Sequence, residues 1–143
     1  MKPISAVTDT CVWISAYSPT EVDHQRSRAY VDRIIRGGIR IALPYPALTE
    51  IVCRLAANFR NEKKDPEDAA TMGRQLHREP NIEWIAADAD FCVQATALGV
   101  RHRLRGMDAI VAHTAIYFRC ELVTYDTDFL NSSIASVIRV RRP

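Results

Sequence analysis

The stretch Ile4-Ser5-Ala6-Val7-Thr8, followed at once by Asp9, decides the fold expected for this chain. It is a short and mostly apolar run that stops at an acidic residue, which is typical of a strand buried in a sheet. A second such run, residues 39–43, follows a helical stretch that ends at the glycine pair Gly37-Gly38. Buried strands that alternate with helices predict an α/β fold with a parallel sheet covered on both faces.

The rest of the chain continues this alternation. Further strands are predicted over residues 82–86, 122–124 and 137–140, and the last of these is expected at an edge because arginines alternate along it. Helices are predicted over residues 21–38, from the prolines at 44 and 46 to about 60, and over 66–79, 90–104 and 107–119, with a short one near Phe129.

Length and composition restrict the possible classes of protein. The 143 residues, of which 48% are hydrophobic, suit one domain over residues 1–143. Nineteen basic against seventeen acidic residues give a formal charge of +2, which argues against a polybasic binding protein. No apolar run is long enough to span a membrane, and an early acid interrupts any signal-peptide core, so a cytoplasmic protein is expected. The four cysteines form no C-x-x-C pair and are expected to be reduced and buried.

Acidic residues from distant parts of the sequence are expected to meet at one edge of this sheet. Asp9 ends the first strand, and Asp126 follows the fourth. Glu50 and Asp108 lie near the start of helices, and each of these helices is expected to begin at the same edge. In open α/β proteins the carboxyl ends of the strands form the ligand-binding edge.

Such a cluster needs a compensating charge. Two ionised carboxylates about 4 Å apart repel by roughly 4 kcal/mol at an effective dielectric constant near 20. A helix N-terminus stabilises a negative charge by only about 0.3–1 kcal/mol. A hard divalent cation compensates more, and oxygen-only ligands favour Mg²⁺ or Mn²⁺ over zinc.

Each acid also has a simpler interpretation. Asp9 and Asp126 could be ordinary turn or capping residues. Glu50 falls opposite the apolar stripe of its helix, where a solvated surface acid is common. Asp88 and Asp90 also follow a strand, and we interpret them as caps of the helix over residues 90–104.

Four stretches carry more specific information: Val7-Thr8-Asp9-Thr10-Cys11-Val12-Trp13-Ile14, Leu48-Thr49-Glu50, Met107-Asp108-Ala109-Ile110-Val111-Ala112 and Leu122-Val123-Thr124-Tyr125-Asp126-Thr127-Asp128-Phe129. In this order and spacing they resemble the PIN domain family, and within it the VapC-type ribonuclease toxins. The resemblance covers essentially the whole chain. It implies a three-layer α/β/α fold with a central parallel sheet, metal-dependent endoribonuclease activity, a homodimer and inhibition by a cognate antitoxin.

The resemblance also implies roles for individual residues. The metal-site positions are matched by Asp9, Glu50, Asp108 and Asp126, with Asp128 as a further candidate. Cys11 stands where the first motif often carries a serine, and a thiol is a poorer hydrogen-bond donor than a hydroxyl. The hydroxyl partners then expected around the acids are Thr8, Thr10 and Thr124.

The chemistry implied by this resemblance is metal-assisted hydrolysis of an RNA phosphodiester, with one or two ions and a 5′-phosphate on the product. Asp9 and Asp108 are expected to be direct ligands, while Glu50 and Asp126 would bind the ion, a second ion or its waters. Because an acidic site repels RNA, basic residues must lie beside it. Three arginines precede Asp108, and we expect all of them to hold phosphates: Arg101, Arg103 and Arg105. Arg101 and Arg105 are expected to share one helical face. A solvated helix face is the alternative interpretation of these arginines.

Other function classes fit less well. A phospho-accepting domain needs an acidic pair after the first strand and a late lysine, but Asp9 stands alone and no lysine follows Lys64. A dehalogenase-type phosphatase needs D-x-D, and Cys11 occupies its second position. None of the four histidines adjoins a candidate nucleophile. The remaining alternatives are a non-catalytic RNA-binding module with the PIN fold and a housekeeping RNA-processing nuclease.

Overall fold

The computed structural model describes all 143 residues, from Met1 to Pro143. Five strands form one sheet in which every neighbouring pair is parallel, in the order β3-β2-β1-β4-β5. The strands are β1 Ile4–Thr8, β2 Arg40–Pro44, β3 Ile82–Ile85, β4 Glu121–Val123 and β5 Val140–Arg141. The helices are α1 Thr10–Tyr17, α2 His24–Ile35, α3 Tyr45–Asn61, α4 Glu67–His77, α5 Ala89–His102, α6 Gly106–Phe118 and α7 Thr127–Asn131, followed by a 3₁₀ turn over Ser133–Ser136.

Helices cover both faces of the sheet, so the expected three-layer α/β/α fold is confirmed. Successive residues of a strand point to opposite faces, and the two cores divide accordingly. Ala6, Ile41 and Leu43 pack into the core shared with α1 to α4. Val7 and Ala42 pack into the second core, beneath α6 and α7. The central strands are therefore buried on both sides, which explains their unbroken apolar runs.

The elements differ from those predicted in four places. Helix α1 was not predicted, and the predicted helix over 21–38 is shorter, covering His24–Ile35. The helix predicted over residues 90–104 ends at His102. The last strand was predicted over 137–140 but is only Val140–Arg141, although it does lie at the edge.

The expectation that the cysteines are buried was wrong, because Cys53 is exposed and the other three are half-buried. All four are free thiols, as expected. No helix combines the length and the apolar character needed to cross a membrane.

The strand order creates a reversal point beside β1. The chain proceeds from β1 outward to β2 and β3 on one side, and β4 and β5 are added on the other side. The carboxyl ends of β1 and β4 therefore adjoin, with connections leading away in opposite directions. Such a reversal leaves a crevice that open α/β sheets use for ligand binding.

Candidate metal centre

Three of the predicted acids meet in this crevice. Carboxylate oxygens of Asp9, Asp108 and Asp126 all lie within 4.8 Å of one another, and we call these residues the acidic cluster. Asp9 directly follows β1 and caps α1, and Asp126 follows β4 and caps α7. Asp108 lies in the first turn of α6. Each acid therefore sits at the junction between one element and the next, as the sequence predicted.

Hydrogen bonds hold the carboxylate of Asp9 in place. One of its oxygens, Oδ1, accepts from the backbone N–H of Thr10 at 2.8 Å. The other, Oδ2, accepts from the Thr124 hydroxyl at 2.8 Å and lies 3.5 Å from the Cys11 thiol. The residue is only 6% exposed. Its carboxylate is thus buried and fixed in orientation before any ligand arrives.

Thr124 connects two members of the cluster. Its hydroxyl donates to Asp9 and accepts from the backbone N–H of Asp126 at 2.9 Å. The other two threonines proposed as hydroxyl partners do not donate their hydroxyl groups to the acidic cluster. Thr10 contacts the Asp9 carboxylate through its backbone, and the Thr8 hydroxyl accepts from the Trp13 indole at 2.8 Å within the core.

The Cys11 thiol lies beside the Asp9 carboxylate, although a thiol is a weaker hydrogen-bond donor than a serine hydroxyl. Its sulfur lies 3.6 Å from the Thr124 hydroxyl as well as 3.5 Å from Asp9. Burial, and next the charge of Asp9, raise the pKa of this thiol to about 12. Cys11 is therefore a neutral thiol at physiological pH and adds no further negative charge to the cluster.

The cluster is electrostatically unfavourable without a cation. Burial raises the pKa of Asp9, although its hydrogen bonds act in the opposite direction. Burial, followed by the charges of Asp9 and Asp126, raises the pKa of Asp108 to about 6, while Arg105 partly opposes this shift. No member of the cluster forms a salt bridge. Converging carboxylate oxygens without a basic partner fit a hard divalent cation such as Mg²⁺ or Mn²⁺.

Two of the predicted metal-site residues lie outside the cluster. Glu50 lies in the second turn of α3, near enough for its charge to contribute to the raised pKa of Asp108. Asp128 is exposed, and its backbone N–H donates to the Asp126 carboxylate at 2.8 Å. The structure thus places Glu50 and Asp128 around the cluster and not within it. Asp88 caps α5 by accepting from the Phe91 N–H at 2.9 Å, as predicted.

Arg54 is a residue near the site that sequence reasoning missed. Its guanidinium lies 3.8 Å from the Glu50 carboxylate and donates to the Thr10 hydroxyl at 3.5 Å. It therefore connects α3 to the start of α1 and holds Glu50 on the side of the cluster. The spacing Glu50-x-x-x-Arg54 on one helix was the available signal, since residues four apart on a helix are neighbours.

The three predicted RNA-binding arginines line a cavity of about 600 Å³ that also borders Asp108 and Asp128. Their arrangement differs from the expected helical face. Arg101 is in the last turn of α5, Arg103 ends that helix in a left-handed conformation with φ 55°, and Arg105 caps α6. A turn between two helices brings them together, because α5 stops before Arg103.

Comparisons with known proteins agree with this architecture. No curated protein matches the sequence. Among solved structures, a toxin–antitoxin complex from Klebsiella pneumoniae is similar with 22% identity and a TM-score of 0.61, over 87% of this chain and 90% of that one. PAE2754 from Pyrobaculum aerophilum has 14% identity and a TM-score of 0.67, over 96% and 83%. VapBC2 from Rickettsia felis, bound to a DNA fragment from its promoter, has 14% identity and a TM-score of 0.63, over 97% and 98%.

These structural similarities show a shared fold. The family is shown by a match of the sequence to a family model. The PIN domain family matches residues 6–133, a span that includes all three members of the acidic cluster and four of the five strands. The chain therefore belongs to the PIN domain family.

Proposed function

We propose that this protein is a metal-dependent endoribonuclease that hydrolyses RNA phosphodiester bonds, and that it is the toxin of a type II toxin–antitoxin pair. The observation that carries the proposal is the convergence of the acidic cluster at the reversal point of the sheet. Three buried or half-buried carboxylates without basic partners are costly for folding alone, and a bound dication together with phosphate chemistry accounts for them.

Each side chain has a distinct task in this proposal. Asp9 and Asp108 would bind Mg²⁺ or Mn²⁺ directly, and Asp126 would complete the ligand set. A cation held there would neutralise a phosphate oxygen, promote ionisation of a water and offset charge on the leaving oxygen. Through its two hydrogen bonds, Thr124 fixes the Asp9 carboxylate relative to the backbone of Asp126. Glu50, on the open side of the cluster, would orient the attacking water or hold a second cation, and Asp128 would do the same from α7.

The toxin role is supported by the similar solved structures. Two similar solved structures are, respectively, a toxin–antitoxin complex and VapBC2. We infer by analogy that a cognate antitoxin inhibits this chain and that the chain forms a homodimer. A cytoplasmic location is part of the same proposal, since RNA and the antitoxin would be met there.

Cleavage is tested by incubating the purified protein with mixed cellular RNA, with and without Mg²⁺. We expect magnesium-dependent cleavage by the wild type and by Asp90→Asn, a matched change of an exposed aspartate at the start of α5. Asp9→Asn is expected to be inactive while keeping its circular-dichroism spectrum. Full activity of Asp9→Asn would overturn the assignment of the site.

The alternatives are separated by two further measurements. A non-catalytic RNA-binding module would neither cleave RNA nor bind Mn²⁺ in a calorimetric titration, whereas we expect both. A housekeeping nuclease would not arrest growth when overproduced. We expect arrest by the wild type and not by Asp9→Asn, with relief when the product of a small adjacent upstream gene is made at the same time. Absence of arrest by an active enzyme would remove the toxin role and leave the nuclease.

A further inference from the structure

The cavity beside Asp108 is the strongest unassigned feature of the molecule, and we call it the arginine pocket. It encloses about 600 Å³ between the turn that joins α5 to α6 and the segment from α7 to the 3₁₀ turn. Arg101, Arg103 and Arg105 line one side, and Asp108 and Asp128 border it on the side of the acidic cluster. Leu104 is its only apolar lining residue, so a hydrophobic ligand does not suit it.

Hydrogen bonds hold the two walls of the pocket together. The His102 ring nitrogen Nδ1 and the Ser133 hydroxyl are 2.6 Å apart. The Ser132 hydroxyl donates to the backbone carbonyl of His102 at 3.1 Å. The turn itself is closed by the backbone N–H of Leu104, which donates to the Gly99 carbonyl at 2.9 Å. The backbone that carries the arginines is therefore fixed before a ligand binds.

The charges of the three arginines are not satisfied within the protein. None of them forms a salt bridge or a side-chain hydrogen bond, whereas five other arginines are paired with carboxylates: Arg28, Arg40, Arg54, Arg139 and Arg141. Three exposed guanidinium groups within one pocket repel one another, and an anion relieves that repulsion. A guanidinium presents five donors in a planar fork that matches phosphate oxygens.

We propose that the arginine pocket binds a backbone phosphate of the RNA strand next to the phosphate that is cleaved. This inference rests on the proposed nuclease function, because it adds a second anchoring point to the same substrate. The pocket contains no Phe, Tyr or Trp, and His102 is its only ring, so it lacks the large aromatic side chains on which bases stack. Its contacts with the strand would therefore position the backbone without reading the sequence.

The salt dependence of binding tests this proposal directly. The full-length Asp9→Asn protein is titrated with a fluorescein-labelled single-stranded RNA at several KCl concentrations and constant Mg²⁺, and binding is followed by fluorescence anisotropy. The test variant adds R101Q and R105Q. The matched control adds R33Q and R36Q, which remove two exposed, unpaired arginines at the end of α2.

Loss of this phosphate contact is expected to reduce the slope of log K against log[KCl] by about 0.7, which is the contribution of one contact to a single strand. The R33Q/R36Q control is expected to keep the parental slope. A slope unchanged in R101Q/R105Q would overturn the proposal. The loss should also be equal for oligonucleotides of different base composition, and a loss confined to one sequence would overturn the assignment to the backbone.

This result is independent of the outcome for catalysis. If the wild type fails to cleave RNA but the slope still falls in R101Q/R105Q, the pocket is a phosphate site and the nuclease proposal is wrong. If the wild type cleaves RNA and the slopes are equal, the nuclease proposal stands and the arginine pocket has no such role.

Discussion

The edge of the sheet formed by the amino ends of the strands and the edge formed by their carboxyl ends differ in how acidic side chains are paired. At the amino edge, Glu121 begins β4 and is paired with two arginines, at 2.7 Å from Arg141 and 3.8 Å from Arg139. At the carboxyl edge, the acidic cluster gathers three carboxylates and no basic partner. Arginines therefore neutralise the acidic side chain at the amino edge, whereas no basic residue is paired with the acidic cluster at the carboxyl edge. We interpret the first edge as serving stability and the second as serving function.

The largest expected effect is on catalysis. Asp108→Asn removes one of the proposed metal ligands, and we expect RNA cleavage to fall by about a thousandfold or more, equivalent to roughly 4 kcal/mol of transition-state stabilisation. Glu121→Gln, the matched change at the other edge, should cleave at nearly the wild-type rate. Both are measured as initial rates with a labelled RNA, and equal losses in the two variants would remove the distinction between the edges.

The next effect is the response of stability to Mg²⁺. A ligand that binds only the folded state adds about 2.7 kcal/mol to the free energy of unfolding at a hundred times its Kd. We expect thermal unfolding of the wild type to shift upward with added Mg²⁺ and that of Asp108→Asn to shift far less. Equal shifts in both proteins would place the cation elsewhere.

A smaller effect concerns pH in the absence of metal. The folded-state pKa of Asp108 is raised to about 6 from 3.8, so between these values the folded protein keeps a proton that the unfolded chain has lost. Its contribution is fully present below about pH 4 and is lost as the pH rises through about 6. Asp108→Asn should therefore be more stable than the wild type at pH 8 by about 1–2 kcal/mol, allowing for solvent screening of this half-buried group.

This difference is measured by urea unfolding in EDTA at pH 4, 6 and 8. It should shrink as the pH falls towards 4, because protonation of Asp108 in the unfolded chain then approaches that in the folded protein. Asp90→Asn, an exposed aspartate outside the cluster, should show no such trend. A pH-independent difference for Asp108→Asn would contradict the raised pKa that burial and the neighbouring carboxylates give this side chain.

The smallest effect belongs to the paired edge. Glu121→Gln removes the negative charge of the Arg141 pair, and we expect a loss of about 1 kcal/mol in the free energy of unfolding, since pairs at partly exposed sites contribute little. The loss should decrease as salt is added, because screening weakens the pair. Urea unfolding at low and high salt measures it. A stabilising effect of Glu121→Gln would contradict the view that this edge serves stability.

Much of this arrangement could be predicted from the sequence, because the site depends on where elements end. Strand ends marked by Asp9 and Asp126, together with a parallel sheet, predict that the two acids share an edge. Distances could not be predicted in the same way. Whether Glu50 joins the cluster depends on the position of α3 over the sheet, and so does the contact of Arg54 with the Thr10 hydroxyl.

The missed elements have physical explanations as well. Six of the eight residues of α1 are buried, so the helix lacks the polar face by which an amphipathic helix is recognised. The strand predicted over residues 137–140 begins late because the backbone N–H groups of Val137 and Ile138 both donate to the Ile134 carbonyl, at 2.9 and 3.0 Å. These local bonds extend the turn and take the place of strand pairing at both residues.

The hydrogen bond from Thr124 to Asp9 joins positions 115 residues apart. Before β4 has been translated, β1 lacks this neighbouring strand. Asp9 is then an isolated acid without Asp126 and without the Thr124 hydroxyl that binds its carboxylate. A fragment that ends before Thr124, whether from stalled translation or from proteolysis, has an incomplete centre. For an enzyme proposed to cleave RNA, activity would therefore require synthesis of the chain at least through Asp126.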